Sequence, residues 1–253
     1  MLIDTHCHLD AAEFAADRDT VAAQSLQQGI GVIVIPAVAR SNFDDVIALH
    51  AQYPHCCYAL GIHPMYVDSA VPEDLAILEQ YVRDHEPVAI GEIGLDYFVT
   101  NPRTSPDNIE RQQLFFVEQL KIARQYRLPV ILPVRNAIDD ILKQLRQYKL
   151  VGGIAHAFNG SFQQAQQFID LGFKLGFGGA MSYSRALKIR ELAEKLPADA
   201  IVLETDAPDI PAEWVMRGGI NSPLELPKIA QVLAEIRQLK TSQVVDITSA
   251  NAL

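Results

Sequence analysis

What this sequence has little of narrows its chemistry before any motif is read. Its three cysteines, Cys7, Cys56 and Cys57, form no CxxC spacing and cannot make a complete disulfide set, so they read as reduced thiols in a cytoplasmic protein. Lysine and arginine number 21 against 31 acidic residues, a formal charge of −10, and no basic cluster stands out. A broad basic groove for duplex DNA is therefore not expected, although a nucleic-acid end or a small phosphate ester stays open as substrate, because a bound dication would dominate the charge of its pocket. No run of about 18 apolar residues occurs, and no basic segment leads into an apolar one near the N-terminus, so neither a membrane span nor an export signal is expected. A GxSxG elbow, a P-loop and a GxGxxG fingerprint are all missing, which leaves a serine hydrolase, a P-loop nucleotidase and a dinucleotide enzyme without support.

What is present suits a sizeable core. The 253 residues are 49% hydrophobic, with 14 Gly and 14 Pro, a balance that argues against disorder. Short runs rich in Val, Ile, Leu and Gly recur, each followed by a longer amphipathic stretch, as in βα units with a parallel sheet. Eight such runs can be counted: 2–6, 31–36, 58–62, 88–92, 130–132, 153–156, 174–177 and 201–204. Helices are expected to include 44–53, 109–127, 162–171 and 224–239. With no linker between units, the expectation is α/β, a single (β/α)8 TIM-like barrel forming one domain over residues 1–253; an open doubly wound sheet is the alternative.

Barrels of this kind place chemistry at the carboxyl ends of their strands. Strand one runs into Asp4-Thr5-His6-Cys7-His8, where alternation puts His6 and His8 on one face and Cys7 on the other. Strand three leads to His63, strand four to Glu92 and Asp96, strand six to His156, and strand eight to Glu204-Thr205-Asp206. His6 and His8 with Glu92 and Asp206 make a nitrogen and oxygen donor set that suits zinc and is compatible with manganese or nickel. Such an ion lowers the pKa of a water and polarises a phosphoryl or carbonyl oxygen. Asp206 could both touch the ion and accept the water's proton, while His63 and His156 are either further ligands or donors to substrate oxygens.

Several of these segments, taken in order, carry a family likeness: Ile3-Asp4-Thr5-His6-Cys7-His8-Leu9-Asp10, Gly61-Ile62-His63-Pro64, Gly91-Glu92-Ile93-Gly94-Leu95-Asp96-Tyr97, Leu128-Pro129-Val130-Ile131-Leu132, His156-Ala157-Phe158-Asn159-Gly160-Ser161 and Glu204-Thr205-Asp206-Ala207-Pro208. By these the chain resembles the TatD-type metal-dependent hydrolases of the amidohydrolase superfamily, often described as TatD deoxyribonucleases. The resemblance covers essentially the whole chain. It implies a TIM-like barrel, metal-assisted phosphodiester hydrolysis, typically of DNA, and a first metal on His6, His8, Glu92 and Asp206. It also implies a second metal that shares Glu92 and uses two further histidines, one of them His156. Taken with the residue reading above, the site residues are therefore Asp206, Glu92 and His63 for catalysis and His6, His8, Glu92, His156 and Asp206 for metal. Water would attack phosphorus with Asp206 as base, and His63 or His156 would stabilise the developing charge.

The sequence departs from that pattern where the family has a histidine after its Leu-Pro-Val-Ile-Leu segment, because this chain has Pro133. Proline offers no side-chain donor, so a second site keeps Glu92 and His156 alone, enough for magnesium completed by waters but poor for zinc. One or two divalent cations (zinc, magnesium or manganese) are expected, with the second site weakened. The partners expected are DNA or a small phosphodiester, with no membrane and no obligate protein partner, in a monomer. Two other readings remain: an amide or lactone hydrolase of the same chemistry, and a barrel that binds metal or a phosphorylated ligand without turnover, which only Pro133 supports.

Some signals are left with two readings. Gly176-Phe177-Gly178-Gly179 after strand seven is either a backbone phosphate site or close packing at the rim. Arg135 and Arg185 could meet a phosphate or simply lie at the surface. The loop holding Asn221 lacks the basic neighbour usual in the family, so a phosphate contact from it lacks support. Cys56-Cys57 reads as strand packing and His50, His55 and His85 as solvated.

Overall fold

The protein is described here from a computed structural model covering residues 1–98 and 105–253. Eight parallel strands lie in sequence order around one sheet: β1 Leu2–Asp4, β2 Ile30–Pro36, β3 Cys56–Leu60, β4 Ala89–Ile90, β5 Val130–Leu132, β6 Gly153–Ala155, β7 Phe173–Phe177 and β8 Ile201–Leu203. Between and after them run α1 Arg18–Gln27, α2 Phe43–Gln52, α3 Glu73–His85, α4 Pro106–Tyr126, α5 Ile138–Leu145, α6 Phe162–Asp170, α7 Leu187–Lys195, α8 Leu226–Arg237 and α9 Thr241–Ala252. The first and last strands meet past their ends. Thr5 N–H donates to Leu203 O at 3.1 Å, Asp206 N–H to His6 O at 2.8 Å and His8 N–H to Ala207 O at 2.8 Å, and Cys7 bridges Ala207 in parallel. This closure gives the (β/α)8 barrel expected from the alternation and excludes the open sheet.

Alternate strand residues divide the core, as a period of two requires. Ile33, Ile35, Leu60, Ile90, Val130 and Leu132 belong to the large cluster shared with the helices, whereas Val34, Ala59, Ala89 and Ile131 form a small separate one. Small side chains from neighbouring strands fit the narrow barrel interior.

The expected elements are present, and their ends differ for identifiable reasons. α4 starts at Pro106 rather than 109, because proline suits a first helical turn, and it stops where Arg127 turns left-handed at φ 54°. β4 is two residues long because the chain then leaves the ladder: Gly91 N–H still donates to Leu60 O, but Glu92 N–H donates to Ala37 O beyond β2. The backbone thus leans across the mouth and carries Glu92 with it. Two glutamines of α4, both fully buried, fix neighbouring exits. Gln119 accepts from Ile62 N–H at 2.7 Å and donates to Ile62 O at 3.0 Å, just before His63. Gln112 accepts from Asp96 N–H at 2.9 Å. Among the described residues no helix is long and apolar enough to cross a membrane.

Candidate metal centre and its cavity

The exits of β1, β3, β4, β6 and β8 surround a cavity of about 740 Å³ whose lining includes His8, His63, Glu92, His156 and Asp206. His6 lies fully buried beneath it. All six histidine and carboxylate residues singled out in the sequence therefore converge. His6 and His8 share one side of the strand, with Nε2 atoms 3.2 Å apart, while Cys7 between them is buried in the core.

Glu92 sits at the centre, with each oxygen facing a different pair. Its Oε2 lies 3.3 Å from His6 Nε2 and 3.8 Å from His8 Nε2. Its Oε1 lies 2.9 Å from His156 Nε2 and 3.4 Å from His63 Nε2. Asp206 closes the first side, Oδ1 standing 3.5 Å from His6 Nε2 and 3.9 Å from His8 Nε2. The His156 ring stacks on His6 with centroids 4.0 Å apart and planes 14° from parallel. Potential ligand atoms of His6, His8 and Glu92, and likewise of His6, His156 and Asp206, lie within 4.8 Å of one another.

Burial sets the charge states. It pushes His6 down to about 3, with His156 adding to the effect, and it lowers His8. Burial alone would raise Glu92, but His63, His156 and His6 around it hold it well below the ordinary carboxylate range. For His156 burial is again opposed, and Glu92 first, then Asp206 and Glu204, carry it up to about 10, so without a metal this ring holds two protons and a dication would have to displace the one on Nε2 to be ligated there. Burial lifts Asp206 to about 7. Two neutral imidazoles beside an ionised carboxylate are what a divalent cation requires of its ligands. Arg135 is the one Lys or Arg among the described lining residues, against Asp10, Glu13, Glu92, Asp206 and Asp209. The donor set therefore fits a dication in both chemistry and charge.

The second side of Glu92 is poorer. Pro133 lines the cavity, its ring so close over Gly94 that a Cβ there would fall 2.9 Å from Pro133 Cδ. His63 Nδ1 accepts the Met65 N–H at 3.1 Å, which in the neutral ring leaves the proton on Nε2. The nitrogen facing Glu92 is then a donor with no lone pair for a metal.

Arg135 lies at the cavity wall with its guanidinium 4.4 Å over the Phe98 ring and 3.6 Å from Asp96 Oδ2. Arg185 is instead 5.9 Å from the Tyr183 ring and is absent from the described lining. Asn221 is fully buried, and its amide donates to Thr205 O at 2.8 Å and Asp209 O at 2.7 Å. It staples the loop after β8 and does not offer itself to a phosphate.

Two carboxylates that the sequence placed at strand exits without a role support this arrangement. Asp4, fully buried, accepts from Thr205 Oγ1 at 2.7 Å and Thr205 N–H at 3.0 Å, and so ties the exit of β1 to that of β8. Glu204 accepts from Ala157 N–H at 2.5 Å. The signal available for both was an acid at the end of a short apolar run, where a buried carboxylate must have a partner.

Comparison with known proteins agrees with the motif order. A profile for TatD-related DNases matches residues 3–253. The chain is 41% identical to the uncharacterized metal-dependent hydrolase YjjV of Escherichia coli K12, covering 93% of this chain and 90% of that protein. It is 31% identical to the 3'-5' ssDNA/RNA exonuclease TatD of Salmonella typhimurium, covering 99% of this chain and 97% of that one. The crystal structure of the E. coli YjjV protein, a TatD homologue, superposes with a TM-score of 0.92 at 38% identity, over 99% of this chain and 95% of the other.

Proposed function

The chain belongs to the TatD-related DNase family and is a metal-dependent hydrolase, and from that premise we propose that it is a phosphodiesterase acting on nucleic acid with one dication per chain. The observation that carries this reading is that Glu92 Oε2 and Asp206 Oδ1 both face the paired Nε2 atoms of His6 and His8, with nitrogen–nitrogen and nitrogen–oxygen separations of 3.2–3.9 Å. These four residues would hold the ion, with His156 in reach as a fifth donor. Held there, a dication supplies an acidified water and polarises a phosphoryl oxygen.

The protein's own groups do the rest. Asp206 borders the cavity beside the place where the ion would sit, where its carboxylate can take the proton of the attacking water. His63 presents Nε2–H toward the centre and donates to the oxygen on which negative charge develops. Glu92 keeps both imidazole pairs in register by facing one oxygen to each. Arg135, its guanidinium steadied on Phe98, receives a phosphate flanking the scissile one. Pro133 and the protonated His63 Nε2 leave His156 as the sole imidazole ligand on the Oε1 side, and this supports one ion over two.

The test combines metal content with turnover. Wild-type protein purified without chelator should carry one dication per chain and cleave phosphodiesters at a rate that follows metal occupancy. Asp206→Ala should lose turnover while keeping its circular dichroism. Full activity in that variant, or preference for N-acyl or lactone substrates in the same panel, would overturn the assignment, and a wild type inert at full occupancy would leave only a binding barrel.

A further inference from the structure

One buried acid beside the centre has no part in the chemistry proposed above. Glu204 follows β8 and is 1% exposed. Its Oε1 accepts from Ala157 N–H at 2.5 Å and stands 3.8 Å from His156 Nδ1. Neither Glu204 Oε2 nor His156 Nδ1 has a hydrogen-bond partner among the described residues. Burying a carboxylate is costly, and the structure makes room for this one. A Cβ at Gly176 would fall 2.1 Å from Glu204 Oε2, and one at Gly178 would fall 2.8 Å from Glu204 O. The glycine run at the end of β7, open in the sequence to two readings, is therefore a seat for this side chain.

Both contacts of the seated carboxylate act on His156. Ala157, the next residue, has φ 47°, a left-handed conformation that an alanine adopts only when its surroundings hold it. The bond from Ala157 N–H to Glu204 holds that turn and so fixes where the His156 backbone points. The same oxygen faces the back nitrogen of the ring, while the front nitrogen meets Glu92 Oε1 at 2.9 Å. Pro133 removes one imidazole from this side and His63 turns a proton toward it, so the orientation of His156 matters more here than in a site with a spare ligand.

We infer that Glu204 is a positioning residue: its negative charge, facing the back of the ring, favours the proton of His156 on Nδ1 and so keeps Nε2 available to the dication. A carboxylate behind a ligating imidazole fixes the tautomer and ring angle and makes the imidazole a better donor. The inference rests on the metal-centre reading of the preceding subsection.

Glu204→Gln removes the negative charge behind the ring while the amide oxygen, in the place of Oε1, still accepts from Ala157 N–H, so the turn at Ala157 is kept and the carboxylate's effect on His156 is lost. Titrating Mn²⁺ into metal-free protein should show about 10–100-fold weaker binding in E204Q, with a Tm within about 3 °C of wild type. Equal Mn²⁺ affinity in the two proteins would overturn the inference while leaving the metal centre intact. Failure of wild type itself to bind Mn²⁺ would overturn the metal-centre reading and this inference with it. A second measurement reads the wild-type ring itself. In wild-type protein loaded with Zn²⁺, ¹⁵N correlation spectra of the histidine rings, with His156 assigned by its loss in His156→Gln, should show the proton on Nδ1. A proton on Nε2 in that state would refute the inference whatever E204Q does.

Discussion

Asp4 offers a test of the barrel's electrostatics that does not involve metal. Its carboxylate is fully buried between β1 and β8, with Thr205 Oγ1 at 2.7 Å, Thr205 N at 3.0 Å and His6 N at 3.3 Å donating to it. Those bonds favour the ionised form, yet burial outweighs them and lifts the group from 3.8 to about 7. The folded state therefore holds this proton more tightly than the unfolded state between those two values. Stability from this group is fully present below about 4, is lost as pH rises toward 7, and changes no further above it. At about 1.4 kcal/mol per pH unit, the loss approaches about 4 kcal/mol. Asparagine cannot ionise, and it matches the protonated acid in shape, with one oxygen to accept from the two N–H groups and a donor for Thr205 Oγ1. Asp4→Asn should thus match wild type near pH 4.5 and exceed it at pH 8.5 by up to about 4 kcal/mol. Urea unfolding of both proteins across that range, in chelator so that metal linkage is absent, reads the difference directly. Other titrating groups are common to both proteins and largely cancel. A gap that does not change with pH, or a variant that is the weaker at pH 8.5, would mean that the three hydrogen bonds and not burial govern Asp4.

Three further outcomes follow from the centre. His63→Ala should lower kcat by about 10²–10³, the usual cost of one donor to a developing negative charge, while metal affinity measured by calorimetry stays at the wild-type value; parallel loss of metal would make His63 a ligand instead. Arg135→Ala should raise KM for a dinucleotide more than tenfold with a smaller change in kcat, since its guanidinium lies at the cavity wall away from Glu92; an unchanged KM would return Arg135 to the surface. Pro133→His should raise the Mn²⁺ stoichiometry from one toward two per chain, visible as spin coupling in the paramagnetic resonance spectrum, and a ratio that stays at one would mean that the introduced imidazole does not reach Glu92 Oε1.

The fold was largely readable because its signal is periodic and local. β5 lies at Val130–Leu132 as expected, where an apolar run follows Pro129 and is cut off by Pro133. The exits read less well, for the physical reason that their partners are remote. Nothing near Glu92 announces that its N–H will donate to Ala37 O. Asp4 is paired to a residue 201 positions away and Glu204 to one 47 positions away, so in the sequence each is one more acid whose surroundings are undefined. The glycines at 176 and 178 had the same difficulty, since a residue without a side chain records only that something comes close.

The two sides of Glu92 also differ in how their ligands are encoded, and this bears on why a proline can stand at 133. The Oε2 side takes its imidazoles from positions 6 and 8 of a single extended segment, where one strand fixes both nitrogens 3.2 Å apart. Shifting that pair requires moving β1, which is bonded to β2 on one edge and to the β8 exit on the other. The Oε1 side draws on the separate exits of β3, β5 and β6, so one substitution can remove a donor without disturbing another element. Val130 and Leu132 remain in the core beside Pro133, whose ring lines the cavity and lies over Gly94. A change at 133 thus acts on one side of Glu92 alone, and the side built from a single strand is the one that keeps its full set of ligands.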